Sequence, residues 1–160
     1  MGLPWYNVSS MPPQDALRSC ALFKGFTETG LQILAGIAVE RTYPRGTPLF
    51  VENMLAESLF IIADGRVGIT VRNGAEELPL GELQRGDSLG ELALVQQGQR
   101  LCSALALTPV TAVELRSVDF QRLMTQKPQA CLKLLMAIVS QFGARLQANR
   151  EAFKALLPRP

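Results

Sequence analysis

The residues best suited to chemistry in this chain lie close together: Gly86, Asp87, Ser88, Gly90, Glu91 and, at the end of the stretch, Arg100. Two glycines flank Asp87, Ser88 and Leu89, so the backbone there can turn sharply and approach a ligand with no Cβ in the way. The apolar run from Glu91 to Val95 predicts a short helix, whose first amides are unpaired and carry partial positive charge that an anion can use. Arg100 adds a full positive charge on a planar fork that can bind two phosphate oxygens together. Glu91 would repel a bare phosphate but would accept a hydrogen bond from a hydroxyl, and a ribose supplies one. Together these residues read as a place to hold a phosphate and a sugar. Each also has a plainer reading on its own: Arg100 as a solvated surface arginine, Glu91 as a helix-start residue favoured by the dipole, Gly90 as a turn residue.

The elements that must position this stretch follow from periodicity. Helices are expected over 13–24 and 27–38, the second with Thr27 as its N-cap. From Glu40 to Leu115 the pattern changes to short strands. Val67, Ile69 and Val71 alternate with Arg66, Gly68, Thr70 and Arg72, and Asn73-Gly74 then supplies a hairpin turn. Leu78, Leu80 and Leu83 suit the return strand, with Pro79 arguing for an edge position. Strands over 101–107 and 111–115 are expected to pair around Thr108-Pro109. A helix over 117–126, N-capped by Ser117 or Asp119, should precede a longer one opened by Pro128. In that longer helix Leu132, Leu135, Met136, Val139, Phe142 and Leu146 form the stripe expected to pack on the core. Many short strands with Gly and Pro turns predict a sandwich or jelly roll.

The ordered motifs resemble those of the cyclic nucleotide-binding domain family, the cAMP and cGMP receptors of kinases, channels and bacterial regulators. Leu89-Gly90-Glu91-Leu92-Ala93-Leu94 matches the first half of that family's phosphate-binding cassette, F-G-E-[LI]-A-L, almost residue for residue. Arg100-Leu101-Cys102-Ser103-Ala104 is similar, less closely, to its second half, P-R-[AST]-A-[ST]-V. Earlier, 43–53 resembles the family's P-x-G-x-x-[LIF]-[FY] strand, and 58–67 its L-[FY]-x-[IL]-x-x-G-x-V hairpin. The resemblance covers about residues 17 to 150.

It implies an α+β, mainly β fold: a cyclic nucleotide-binding jelly-roll β-sandwich flanked by N-terminal helices and two C-terminal helices. One domain would span 13–157, between tails at 1–12 and 158–160. The resemblance places the phosphate at Gly90, Leu92, Ala93, Arg100 and Leu101, and the ribose at Glu91 and Gly90. The base or lid would involve Ser103, Arg145, Leu146, Asn149 or Phe153, among which spacing does not choose; Ser103 reads equally as an ordinary strand residue. Leu101 stands where the family has a small residue or a hydroxyl, and a threonine there favours cGMP, so the expected ligand is cAMP ahead of cGMP. Gln99 replaces the family's proline and loosens the loop. Asn53 stands where glycine is common, but asparagine tolerates left-handed backbone.

Composition narrows the function further. The 160 residues are 48% hydrophobic and 19% charged, an ordinary globular mix for one domain. Net charge is +2 with the basic residues scattered, so no nucleic-acid partner is expected. Cys20, Cys102 and Cys131 lack metal-ligand spacing and fit reduced thiols of a cytoplasmic protein; neither a metal nor a cofactor is expected. Without any histidine, no serine or cysteine has a histidine base, so an enzyme is not expected. Residues 1–11 do not read as a secretory signal, Tyr6 stands where a myristoylation site wants Ser or Thr, and no apolar run is long enough to cross a membrane. The chain stops at Leu156-Leu157-Pro158-Arg159-Pro160, so the output of a stand-alone, bacterial-type receptor would reach an effector protein or a second copy through its C-terminal helix. The alternative is a degenerate domain kept as an interaction scaffold.

Overall fold

The computed structural model describes residues 11–156; the readings made above for 1–10 and 157–160, and for the Phe153 side chain, lie outside the described residues. Two helices come first, α1 (Pro13–Ser19) and α2 (Glu28–Ala35), separated by a single 3-10 turn at Ala21–Phe23. The strands β1 (Ala38–Tyr43), β2 (Pro48–Phe50), β3 (Ser58–Asp64), β4 (Arg66–Asn73), β5 (Glu76–Gln84) and β6 (Ser88–Leu89) follow. After the one-turn helix α3 (Leu92–Val95) come β7 (Ser103–Ala106) and β8 (Val110–Arg116), then α4 (Ser117–Gln126), α5 (Pro128–Ala148) and α6 (Arg150–Leu156). The strands form two antiparallel sheets, in the orders β1-β8-β3-β6 and β2-β7-β4-β5. This is the expected jelly-roll sandwich with helices at both ends.

Strand β3 is the hinge of the packing. Its alternate residues Phe60 and Ile62 face the interior between the sheets, with Phe50, Val67, Ala104 and Val110. Leu59, Ile61 and Ala63 face the other way, into a second core with Leu17, Leu34, Phe120, Leu134 and Ile138 of the helices. A strand covered on both faces is apolar almost throughout, as the sequence Leu59 to Ala63 is.

Several sequence expectations need correction. The strands around Thr108-Pro109 do not pair: β7 bonds β2 and β4, whereas β8 bonds β1 and β3 in the other sheet. The chain crosses between sheets here, beside a second crossing at Gly65. A Cβ on Gly65 (φ +91°) would lie 2.3 Å from the Pro109 carbonyl oxygen, and the Arg66 amide donates to Thr108 Oγ1 at 3.0 Å. Two crossings locked together at one corner leave no room for a hairpin. In the hairpin between β4 and β5 the turn residues are Gly74 and Ala75, since Asn73 still pairs with Glu76, and positive φ occurs at Gly74 alone. Pro79 does sit on the edge strand β5.

The helices differ mainly at their ends. The helix expected over 13–24 stops at Ser19 and continues only as the 3-10 turn. Thr27 caps α2 as expected, accepting from the Gly30 amide at 3.1 Å, but α2 stops at Ala35 because Ala38 is already paired with Leu115 of β8. Neither Ser117 nor Asp119 caps α4; Arg116 takes the cap position and its Nε donates to Asp119 at 2.7 Å. On α5 the buried face is Cys131, Leu134 and Ile138, while Leu132, Met136, Val139 and Leu146 of the expected stripe are exposed. Both rows are apolar at helical spacing, so periodicity alone could not choose the face that meets the core.

Candidate functional site

Main-chain bonds fasten the 86–100 segment to β3 and to the loop after β2. The Gly86 amide donates to the Ile62 carbonyl and the Ile62 amide to the Asp87 carbonyl, each at 2.9 Å. The Asp87 carboxylate is used locally, accepting from the Gln84 amide at 2.9 Å. At the far end the Arg100 amide donates to the Met54 carbonyl at 2.7 Å and the Asn53 amide to the Arg100 carbonyl at 2.9 Å. Asn53 holds the left-handed conformation, φ +69°, that its residue type allows.

Between these anchors lies a cavity of about 470 Å³, lined by residues of the cassette, of β4 and β5, and of α5. That is ample for a small ligand. Arg100 is no surface side chain: it is only 5% exposed. Its Nη2 donates to the Ser58 carbonyl at 2.8 Å, and the guanidinium carbon lies 4.1 Å from the centroid of the Phe50 ring. Nε and Nη1 are buried with no hydrogen-bond partner. Burial pushes the Arg100 pKa down, which expresses the cost of a cation removed from water. Gly90 makes this position possible, for at φ +79° a Cβ there would fall 2.3 Å from Arg100 Nη1 and 2.9 Å from the Ser58 carbonyl oxygen.

Glu91 is 4% exposed, and its Oε1 accepts from Ser88 Oγ at 2.7 Å. Arg145 of α5 reaches the same oxygen, with Nη2 at 3.6 Å. A buried carboxylate and a buried guanidinium therefore share one cavity, and a ligand carrying both a hydroxyl and an anion could answer them together.

The structure brings Gly90, Glu91, Leu92, Ala93, Arg100, Leu101 and Arg145 around this cavity. Leu101 is 73% exposed, at the cavity's mouth. Three of the base or lid candidates lie away from the cavity wall in this structure. Ser103 lies on a different depression, its Oγ accepting from the Glu52 amide at 2.9 Å, because alternation along β7 turns it away from the cavity. Leu146 is exposed and lines no part of the cavity. Asn149 ends α5 instead, donating from Nδ2 to the Arg145 carbonyl at 2.8 Å.

Sequence reasoning missed Phe50, Cys102 and Phe142 as lining residues. One of them had a readable signal: Phe142 precedes Arg145 by three positions, which on α5 puts both on one face. Cys102 is half-buried and unpaired, with its thiol pKa raised by burial. Among the described residues no cluster of three potential ligands could hold a metal ion, and no helix is long and apolar enough to cross a membrane.

Comparison with known proteins agrees with this geometry. Residues 40–127 match the family model of the cyclic nucleotide-binding domain. The cyclic AMP receptor protein of Thermus thermophilus is 27% identical over 113 residues, which cover 70% of this chain and 52% of that protein. The cAMP-activated global transcriptional regulator CRP of Salmonella typhimurium is 32% identical over 111 residues, 68% of this chain and 51% of the relative. The chain thus spans about half the length of these curated relatives. Among solved structures, the N-terminal domain of a transcriptional regulator from Streptomyces coelicolor superposes with a TM-score of 0.74 at 27% identity, covering 84% of this chain and 96% of that one. With a family model matched over more than half of its residues and a sandwich that carries the cassette at its cavity, this chain belongs to the cyclic nucleotide-binding domain family.

Proposed function

We propose that this protein is a receptor for a cyclic mononucleotide, with cAMP preferred over cGMP, and that ligand binding is relayed by movement of α5. The observation that carries the reading is Arg100: a side chain 5% exposed, two of its guanidinium nitrogens buried without partners, on the wall of the cavity and packed against a glycine that leaves room for it. An unpartnered buried donor costs about 1 to 3 kcal/mol, more when charged, so a phosphate that satisfies two of them gains correspondingly. Glu91 then accepts the ribose 2′-hydroxyl, and the apolar remainder of the cavity takes the base.

The preference for cAMP rests on the absence of a hydroxyl just after Arg100. Leu101 has none, and the hydroxyl of Ser103 is bonded to the Glu52 amide away from the cavity. Relay through α5 is supported by Phe142 and Arg145, which α5 contributes to the cavity wall. From there the output passes to an effector protein or a second copy of the chain. We read the protein as a binding module and not an enzyme, since Glu91 is engaged by Ser88 and Arg145 and the chain has no histidine to serve as a base. Three unpaired cysteines support a reducing, cytoplasmic setting.

Calorimetric titration with cAMP and cGMP tests the reading. Saturable binding with at least a several-fold preference for cAMP is expected. Equal or reversed affinities would remove the preference, and no saturable binding of either would favour an interaction scaffold.

A further inference from the structure

Strand β8 directs alternate residues Val110, Ala112 and Glu114 to one face, and the first two belong to the apolar interior between the sheets. Glu114 stands directly across from Phe60 of β3 in the antiparallel register. Its carboxylate therefore ends that row on the side where Arg100 lies over the Phe50 and Phe60 rings, 4.1 and 5.6 Å from their centroids. Ser58 joins the two charges: its carbonyl accepts from Arg100 Nη2 at 2.8 Å, and its hydroxyl donates to Glu114 Oε1. The other carboxylate oxygen accepts from Nε of the half-exposed Arg41 at 2.9 Å, while the Glu114 side chain is only 13% exposed. Among the described residues no carboxylate pairs with Arg100 directly. Burial opposes the Arg100 charge and Glu114, one residue removed, favours it. Glu57 acts in the same sense but is exposed, so solvent screens it.

We propose that Glu114 sets the affinity of the phosphate site: shared between Arg41 and Arg100, its charge stabilises the empty site and weakens the hold on a cyclic phosphate. The inference rests on the receptor reading above. A phosphate placed against Arg100 meets a carboxylate held by the same serine, and two like charges in the poorly solvated space between the sheets repel. Arg41 works the other way, since it draws the Glu114 charge toward the edge strand β1 and itself attracts the anion. Removing the Glu114 charge should therefore destabilise the ligand-free protein, which then holds Arg100 with less compensation, and should tighten binding. Those opposite signs separate the proposal from a purely structural pairing, in which loss of stability and loss of binding go together. Glu114 is a positioning residue in this scheme, acting on Arg100 through Ser58.

Calorimetry with cAMP and thermal melts on the full chain, Glu114→Gln, Arg41→Gln and Glu40→Gln test the assignment. Glu114→Gln keeps an acceptor for Ser58 and loses the charge. It should bind cAMP roughly two- to fivefold more tightly while its ligand-free melting midpoint falls. Because Glu114 is largely buried, the gain should persist between about 0.1 and about 0.5 M salt, where surface effects are screened. Arg41→Gln should weaken binding by about twofold, and Glu40→Gln, on the opposite face of β1, should leave it unchanged. Unchanged or weaker binding by Glu114→Gln, a gain that vanishes with salt, or an equal gain in Glu40→Gln would overturn the proposal and leave the receptor reading standing. If Glu114→Gln does not fold, Arg41→Gln decides alone, and unchanged or tighter binding overturns the proposal. Failure of the unaltered chain to bind cAMP would overturn both.

Discussion

Replacing Arg100 by methionine removes the charge and the fork while keeping an unbranched side chain between Phe50 and the cassette. Without ligand, opposing effects nearly cancel. The Ser58 carbonyl loses its donor, worth about 1 to 3 kcal/mol, and the stacking over Phe50 is lost, worth about 1 to 2 kcal/mol. Against this, removing a buried, incompletely paired cation relieves a desolvation cost of several kcal/mol. The ligand-free melting midpoint should therefore move by only a few degrees. Binding has no such compensation. Two charge-assisted hydrogen bonds at about 1.5 to 3 kcal/mol each amount to about 3 to 6 kcal/mol, a loss of roughly 10² to 10⁴ in affinity. In differential scanning fluorimetry, cAMP at about a hundredfold over its Kd should stabilise the unaltered protein by about 2.7 kcal/mol, or roughly 5 to 11 °C. The variant should shift by no more than about 0.4 kcal/mol, or about 1 to 2 °C, at the same concentration. Affinity within about tenfold of the unaltered protein would refute the phosphate role, and a collapse of ligand-free stability would show that Arg100 serves the fold.

Glu91→Gln should weaken cAMP binding by about tenfold and bind 2′-deoxy-cAMP as well as cAMP, since the hydroxyl acceptor has lost its charge; a variant that still discriminates the two would remove Glu91 from the ribose. Gly90→Ala should lower stability by about 1 to 3 kcal/mol and abolish tight cAMP binding, because its Cβ strains a backbone at φ +79° and displaces Arg100. Unchanged melting and affinity would count against that close approach. Burial raises the Cys20 thiol from 9.0 to about 11, so the folded form keeps a proton that the unfolded chain loses first. Stability from this group is fully present below about pH 9 and is lost as pH rises toward 11, by roughly 2 kcal/mol near pH 10.5. Denaturant melts across that window should fall more steeply for the unaltered protein than for Cys20→Ala, and equal slopes would refute it.

Much of the site was legible in the sequence because it is local. Gly90, Glu91, Leu92, Ala93 and Arg100 occur within one loop-helix-loop segment, and the chemistry of a glycine, a carboxylate and a guanidinium at that spacing does not depend on what packs behind them. The edge position of β5, the start of α5 at Pro128 and the cap at Thr27 were legible for the same reason, since a missing amide or a side-chain acceptor acts on its own backbone. Ser103 was the counterexample. It follows Arg100 closely, yet strand alternation and a bond from the Glu52 amide place it on another depression.

What the sequence by itself determined is therefore the set of groups able to meet a phosphate and a sugar, and the alternation of short strands and end helices that carries them. Tertiary structure alone decided which face of α5 is covered and that β7 and β8 part into different sheets. It also decided that Arg100 is buried with open donors and that Arg145 reaches Glu91. These are contacts between segments far apart in the chain. The free energy of each depends on the shape and charge that another element happens to present, so no local pattern of residues could carry the information.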